Sequence, residues 1–479
     1  MSNCNNSSLQ QYIPSDTNPW DVEKADHLFT RIAFGENIGN VNQALTQDPS
    51  DLIDSLFDEA IDIPIMNEPP ASYFDLSPAA ALRQWVEPHM SAFIVNGFRE
   101  RMMLFWSNHF VTVWADYRAI SYFSSYTRTL QEYSLGNFKE FVRAIGLEDA
   151  MLIYLSGFQN EKSAPNENYA RELYELFTLG EGNGYTEEDI LETARALTGY
   201  NKKDNPLGSP ISFDVNGFDD GEKTIFGQTG NFGYDDVIDN LFNEKGDLIA
   251  KFIVEKIYRN FVHPDLPNDP SIINGLADTF LNSDFELVPM LKELFKSEHF
   301  FDEASIGVLI KGPIEHIMTL HKKSNFSDFS FTDVTENRRY YNNINGLGQV
   351  LFSPPDVAGW PGDRAWISSP NFINTWETLR SEIVIRFRAN VRERFRDLAI
   401  SLAGESDDVE YVVKTIMNWY LPRKILTEKD YANAIDVFKA DVPSIYFEDG
   451  TWALNFSDVP EQVRLLLDYI IVQPEFFLK

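Results

Sequence analysis

The chain contains the segment Pro165-Asn-Glu-Asn-Tyr-Ala-Arg-Glu-Leu-Tyr-Glu-Leu-Phe-Thr-Leu-Gly180, followed by Tyr185-Thr-Glu-Glu-Asp-Ile190 and Ala194-Arg-Ala-Leu-Thr-Gly-Tyr200. In the first segment the apolar residues recur at helical spacing, at Tyr169, Leu173, Leu176 and Phe177. Gly180 is suited to end that helix, and Thr186 with Asp189 resembles a capping box that starts the next one. The pattern predicts two helices joined as a hairpin.

Helical periodicity extends outward from this hairpin over most of the chain. It covers residues 25–34, 40–60 and 78–114, and it resumes at Gly246. Residues 201–236, rich in Gly, Asp and Asn, and residues 324–366, which include Pro354-Pro355, lack it. The sequence therefore predicts a large, mainly α, multi-helix protein with irregular loop insertions near 201–236 and 324–366.

Composition suggests three segments. Residues 1–20 are polar and contain Pro14 and Pro19, which is typical of an arm laid on the surface. The helical patterns and motifs occupy 21–400, and the acidic run Gly404-Glu-Ser-Asp-Asp408 follows them. We expect a main helical domain over 21–400 and a C-terminal helical segment over 409–479 that packs on it.

The charge of the chain excludes several classes of partner. Acidic residues number 73 against 40 basic ones, for a formal net charge of −33. Such a field repels phosphate backbones, so we expect no nucleic-acid partner. The longest apolar runs are broken by charges, so we expect no membrane insertion.

The N-terminal residues bear on the compartment. Met1 to Ser8 lack the basic and apolar regions of a secretory signal, so the chain as written is expected in the cytoplasm. A leader removed before Met1 would reverse that expectation. Cys4 is the single cysteine, so no intramolecular disulfide can form.

The charged residues of the hairpin have two interpretations. Glu167, Arg171 and Glu175 are spaced one turn apart, as are Glu188, Glu192 and Arg195. They could be surface ladders, each pair contributing roughly 0.2–0.5 kcal/mol. Alternatively the two faces meet, and Arg171 and Arg195 neutralise clustered carboxylates in a buried polar site, where acid/base or metal chemistry is favoured.

These hairpin segments resemble the signature of an uncharacterised bacterial family known as domain of unknown function 1800. Four other segments agree with that family in order: His27-Leu-Phe-Thr-Arg-Ile-Ala-Phe-Gly35, Phe105-Trp-Ser-Asn-His-Phe110, Phe218-Asp-Asp-Gly-Glu-Lys-Thr-Ile-Phe-Gly227 and Pro354-Pro-Asp-Val-Ala-Gly-Trp-Pro361. The resemblance covers residues 25–376 and brings Asn108, His109 and Asn168 forward as candidate substrate-binding residues. It departs from the family at Phe177 and Phe218, where many members carry histidine.

Two further segments contain candidate ligands. Asp219 and Asp220, in the acidic loop 214–221, form a candidate site for calcium or magnesium, although the loop lacks the EF-hand spacing. Trp360, Asp363 and Trp366 share the loop 354–366, where tryptophans beside a carboxylate suit a sugar ring. The alternative is that both tryptophans only pin the loop to the core. No nucleotide or flavin is expected, because the glycine-rich fingerprints are absent.

We are left with two hypotheses from different classes. The first is an enzyme, a hydrolase or lyase acting on a carbohydrate or another polar polymer in a carboxylate-rich cleft between 166–200 and 354–366. Its catalytic candidates are Glu167, Arg171, Glu172, Arg195 and Asp363, its substrate-binding candidates are Asn108, His109, Asn168, Trp360 and Trp366, and its metal candidates are Asp219 and Asp220. The second is a non-catalytic binding or assembly protein with a protein partner.

Overall fold

The structure is a computed structural model that describes residues 7–203, 208–326, 333–388, 391–422 and 425–479. Within these ranges the chain forms twenty-two α-helices, which confirms the predicted mainly α fold. The helices are α1 (Val22–Ala33), α2 (Ile38–Ala44), α3 (Pro49–Asp62), α4 (Pro78–Val95), α5 (Gly97–His109), α6 (Trp114–Tyr117), α7 (Ile120–Glu132), α8 (Phe138–Gly146), α9 (Asp149–Tyr154), α10 (Asn168–Glu172), α11 (Glu187–Ala196), α12 (Tyr234–Phe261), α13 (Pro270–Asn282), α14 (Leu287–Lys296), α15 (Pro313–Ser324), α16 (Val334–Gly346), α17 (Ser369–Arg388), α18 (Arg394–Ala403), α19 (Val409–Tyr420), α20 (Glu428–Lys439), α21 (Ile445–Glu448) and α22 (Val459–Ile470).

Shorter helical turns complete the helical part. A π-helix, Leu173–Thr178, continues directly from α10. The 3₁₀ turns are Ala71–Asp75, Gly157–Gln159, Glu303–Ser305, Asp363–Trp366 and Pro474–Phe477.

The insertion predicted over 201–236 contains two small antiparallel hairpins among its described residues. Strand β1 (Lys202–Lys203) pairs with β2 (Ile211–Ser212), and β3 (Lys223–Ile225) pairs with β4 (Gln228–Gly230). The helix that follows begins at Tyr234, so the predicted start at Gly246 is wrong. Lys245 has non-helical dihedrals, and this kink interrupts the periodicity one residue before Gly246.

The second predicted irregular stretch, 324–366, is wrong over part of its length because it contains α16. Asp333 caps this helix by accepting the backbone N–H of Glu336. Few apolar residues mark its buried face, where Asn337 lies beside Tyr340 and Ile344, so an apolar count overlooks it. Residues 327–332 lie outside the described part of the chain.

Helix α5 lies at the centre of the packing and leads to the candidate site. It contacts α1, α3, α4 and α7, and its residues Met102, Met103 and Trp106 are fully buried. The Trp106 indole N–H donates to the backbone oxygen of Ser134 at 3.0 Å. Because α5 is fixed on several sides, the position of Asn108 and His109 at its end is fixed with it.

The regions at the two ends of the chain pack onto the same core. Tyr12 of the N-terminal arm is buried, and its backbone N–H donates to the backbone oxygen of Lys296 at 2.8 Å. Helices α19 and α22 pack on α18. The backbone N–H of Lys311 donates to the backbone oxygen of Phe477 at 2.8 Å. One continuous cluster of buried apolar side chains runs from Tyr12 to Phe476.

Candidate functional site

Asn108 joins two segments that are distant in the sequence. Its side-chain oxygen accepts the backbone N–H of Trp360 at 2.7 Å, and its Nδ2 donates to the backbone oxygen of Trp360 at 3.1 Å. Gly359 lies against Asn108 with a φ of +86°, and an added Cβ there would overlap the backbone oxygen of Asn108. The segment 105–110 therefore holds the loop 354–366 by direct contact.

A cleft of about 120 Å³ lies beside the loop at this contact, and we call it the tryptophan cleft. Its lining includes four residues that the sequence analysis selected, namely Asn108, Trp360, Asp363 and Trp366. It also includes Arg101, Leu104, Phe105, Arg259, Asn260, Leu309, Ile310, Gly312, Ile314, Glu315, Gln349, Gly362 and Lys479. Among the described lining residues none comes from 166–200, so the predicted cleft between hairpin and loop is not formed in that way.

The two tryptophans of the cleft differ in accessibility. Trp360 is 8% exposed, consistent with a side chain that pins the loop to the core. Trp366 is partly exposed, and its Nε1 edge lies close to Gly312, where an added Cβ would be 3.2 Å away. Of the two, Trp366 is the indole that a ligand can reach.

Asp363 is the accessible carboxylate of the cleft. It has a φ of +41°, and its side chain is 27% exposed. One carboxylate oxygen accepts the backbone N–H of Ile310 at 3.2 Å, and the other lies 3.9 Å from Nε of Arg364. This arrangement leaves the second oxygen open to the cleft or solvent.

A buried charge cluster that the sequence analysis missed forms the floor of the cleft. Glu315, at the start of α15, accepts the backbone N–H of Gly312 at 2.7 Å and forms ion pairs with Arg101 and Lys479. Burial alone would raise the pKa of Glu315, but the charges of Arg101 and Lys479 outweigh it and hold that pKa well below its usual value. Glu315 is therefore a fixed anion. Its only signal in the sequence is a capping position at Gly312-Pro-Ile-Glu315.

His109, predicted to bind substrate, lies away from the cleft. Its Nε2 donates to the backbone oxygen of Phe177 at 3.0 Å, and its Nδ1 accepts from Nζ of Lys256 at 3.1 Å. Burial, with the positive charge of Lys256 as a second cause, lowers the pKa of His109 well below its usual value. Burial also lowers the pKa of Lys256 to about 8. The neutral imidazole supports the π-helix.

The charged face of α10 lies at the surface. Arg171 pairs with Glu187 at 2.7 Å, with Glu175 at 3.1 Å and with Glu167 at 3.5 Å. The side chains of Arg171 and Glu187 are 29% and 72% exposed. The buried polar site expected between Arg171 and Arg195 does not form, because each arginine has its own set of carboxylates.

Arg195 forms an ion pair with Asp219, one of the two carboxylates predicted to bind a metal. Its Nε donates to Asp219 at 2.8 Å, and its Nη1 donates to Glu192 at 2.9 Å. The guanidinium lowers the pKa of Asp219. Asp220 is exposed, and the described residues contain no group of three or more His, Cys, Asp or Glu arranged to hold a metal. Arg195 therefore pairs with one of the two carboxylates, and the cation site at Asp219 and Asp220 stays a prediction.

Glu172 and Asn168 lie outside the lining of the tryptophan cleft. Glu172 is partly buried, and burial, followed by the charge of Glu175, raises its pKa. Tyr154 lies within the field of Glu172, Asp116 and Asp356, and burial, with these charges, raises its pKa to about 12. Asn168 donates from Nδ2 to the backbone oxygen of Leu155 at 3.0 Å, so it holds the backbone and does not line the cleft.

Phe177 and Phe218, the two departures from the family resemblance, do not line the cleft. Phe177 is 2% exposed, and its ring packs against Phe110 at 5.3 Å. Phe218 is partly buried, with Nζ of Lys223 lying 4.7 Å from its ring centre. Histidine is therefore absent from two positions that are not part of the tryptophan cleft.

Comparisons place the chain in a family. Among the described residues no helix has the length and apolar character needed to cross a membrane. No curated protein and no solved structure matches the chain. A family model described as "Protein of unknown function (DUF1800)" matches residues 27–478, nearly the whole chain, and this range contains all the motifs described above. The chain therefore belongs to the DUF1800 family.

Proposed function

We propose that this protein binds a carbohydrate or another polar polymer in the tryptophan cleft. One observation carries the proposal: Asn108 holds the loop 354–366 so that Trp366, Asn260 and Asp363 line one open cleft. An indole packs against the apolar face of a sugar ring, and polar side chains bond to its hydroxyl groups. This pairing of an aromatic surface with hydrogen-bonding groups suits a sugar.

Hydrolase or lyase activity is the catalytic form of the proposal, with Asp363 as the acid/base residue. Hydrolysis by the common two-carboxylate route needs a second working carboxylate. Glu315 is unsuited to that role because Arg101 and Lys479 hold it as a fixed anion. A reaction that uses a single base is therefore the catalytic form we favour.

Binding without turnover is the second candidate function. It is favoured because Arg101 and Lys479 hold Glu315 in ion pairs. Asp363 is then the one accessible carboxylate in the described lining of the cleft. In this form the cleft would anchor a polymer or the polysaccharide part of a partner, and Asp363 would accept hydrogen bonds from its hydroxyls.

Binding is tested with the Trp366→Ala variant. Removing the indole should weaken binding of oligosaccharides about tenfold, since aromatic packing contributes about 0.5–1.5 kcal/mol beyond the area it buries. Isothermal titration calorimetry against a panel of neutral and acidic oligosaccharides measures the change. Phe74→Ala, which removes an exposed aromatic ring outside the cleft, is the matched control. Equal affinities for the two variants would contradict the proposal.

Catalysis is tested with Asp363→Asn. Asparagine tolerates the positive φ of residue 363 but cannot act as a base, so the variant should bind and fail to turn over. Reducing-end release and absorbance of an unsaturated product distinguish hydrolysis from elimination. Asp220→Asn, at an exposed carboxylate outside the cleft, is the control. If wild-type protein binds but neither product forms with any ligand that binds, the non-catalytic form is favoured.

A further inference from the structure

We infer that the ligand of the tryptophan cleft is anionic: a carbohydrate that carries a carboxylate or sulfate group, received by the cations at the cleft floor. The inference rests on the proposed function and names its substrate class. It comes from the charges of the cleft, which differ from those of the chain as a whole.

The lining of the cleft is rich in cations. Its charged side chains are Arg101, Arg259 and Lys479 against Glu315 and Asp363. The whole chain carries a formal net charge of −33, so its surface as a whole repels anions. A cleft where cations outnumber carboxylates is a local exception, and such an exception recruits an anion that the remaining surface repels.

Two basic side chains share one carboxylate at the floor of the cleft. Arg101 and Lys479 both pair with Glu315, and all three side chains are at most 10% exposed. Burial, followed by the charge of Arg101, lowers the pKa of Lys479 to about 7, so the positive charge of Lys479 is complete only below that pH. Helix α15, which has twelve residues, begins at Pro313 beside this cluster, and its N-terminus adds partial positive charge.

Arg101 also has an unused hydrogen-bond donor. Its Nε is buried and has no hydrogen-bond partner among the described residues. The guanidinium lies over the rings of Phe34, at 4.8 Å, and Phe261, at 5.7 Å, so it is not free to turn toward another acceptor. A water molecule or a neutral hydroxyl could accept this bond. An anionic oxygen would accept it and also compensate the surplus charge.

Arg259 extends the positive charge to the mouth of the cleft. It is exposed on the last turn of α12, and its Nη1 donates to the backbone oxygen of Pro264 at 2.7 Å. That bond uses one nitrogen of the guanidinium, and the side chain as a whole stays exposed. An acidic sugar that stacks on Trp366 would therefore meet one cation at the mouth and two at the floor.

The inference is tested by titrating the full chain with three oligosaccharides of matched length. One is an oligogalactose, one an oligogalacturonate and one an oligogalactose carrying sulfate esters. Tryptophan fluorescence at low salt and at about 0.2 M salt reports the affinities. We expect at least one acidic oligomer to bind about tenfold more tightly than the neutral one at low salt, with the preference shrinking as salt rises. The acidic oligomer that binds more tightly identifies whether the cleft floor binds a carboxylate or a sulfate group.

A pair of arginine variants locates the effect. Arg259→Gln should weaken binding of the acidic oligomer about fivefold and leave binding of the neutral oligomer unchanged. Arg83→Gln is the control, because Arg83 is exposed on α4 and lies outside the lining. Neutral and acidic oligomers binding equally, or equal effects of the two variants, would overturn the inference and leave the proposed function intact. If none of the three oligomers binds, both are overturned.

Discussion

Gly359 illustrates how one residue sets the position of the loop 354–366. It has a left-handed backbone, with a φ of +86°, and it lies directly on Asn108. A side chain at this position would be strained by its dihedral and would also collide with the backbone oxygen of Asn108. The two hydrogen bonds between Asn108 and Trp360 depend on that close approach.

We predict that Gly359→Ala lowers the free energy of unfolding by about 3 kcal/mol, of which roughly 1–2 kcal/mol is backbone strain and the remainder the displaced loop. Gly348→Ala is the matched control, since Gly348 has a φ of +91° and no heavy atom within 4 Å of an added Cβ. It should cost about 1 kcal/mol from strain alone. Urea unfolding measures both, and equal losses would contradict the role given to the Asn108 contact.

At the scale of elements, the π-helix Leu173–Thr178 explains why His109 and Lys256 are where they are. Because the π-helix ends at Thr178, its last backbone oxygens have no partner within the helix. The oxygens of Leu176 and Phe177 accept from Lys256 and His109, and Thr178 Oγ1 donates to Leu173 at 2.5 Å. Three side chains thus complete the hydrogen bonding of one irregular element.

We predict that Lys256→Met loosens the π-helix without unfolding the protein. The oxygen of Leu176 and the Nδ1 of His109 would both lose a donor, which costs about 1–3 kcal/mol when the groups stay buried. Hydrogen exchange of the backbone amides in 173–180 should accelerate at least about tenfold. Lys251→Met, at an exposed lysine of α12, should leave that exchange unchanged. Identical exchange in the two variants would show that Lys256 does not hold the element.

Across the whole molecule, buried histidines couple folding to pH. Burial lowers the pKa of His316 to about 3, and it also lowers the pKa of His109, His299 and His321. An unfolded histidine has a pKa of about 6.5. Below that pH the unfolded chain takes up protons that the folded chain does not, so the folded state loses stability as the pH falls from about 6.5.

We predict that the free energy of unfolding is about 2 kcal/mol smaller at pH 5 than at pH 7.5 from His316 alone, and that His109 adds to this loss. Urea unfolding at a series of pH values measures it. His316→Gln should reduce the slope below pH 6 by about 1.4 kcal/mol per pH unit, the effect of one proton. His263→Gln, at a partly exposed histidine, is the control variant. A wild-type stability that does not fall between these pH values would contradict the prediction.

A feature could be predicted from the sequence when the interactions that form it join residues close together in the chain. Periodicity identified the helices of the hairpin at Asn168–Glu172 and Glu187–Ala196. The pattern over 78–114 is divided between α4 and α5, because Gly97 turns the backbone to a φ of +47°. Helix α16 was missed because polar residues dominate it. In the candidate site, Asp363, Trp360 and Trp366 were found together since they share one short loop.

The sequence by itself determined the helical class, the insertion at 201–236 and the loop that carries Trp366, because spacing, caps and prolines act between neighbouring residues. Only the tertiary structure decided which loop meets which helix. It brought Asn108 to Trp360 and gathered Arg101, Glu315 and Lys479 under one cleft, while it separated Arg171 from Arg195. Such pairings depend on how the whole apolar core packs, and residues hundreds of positions apart leave no local pattern of their meeting.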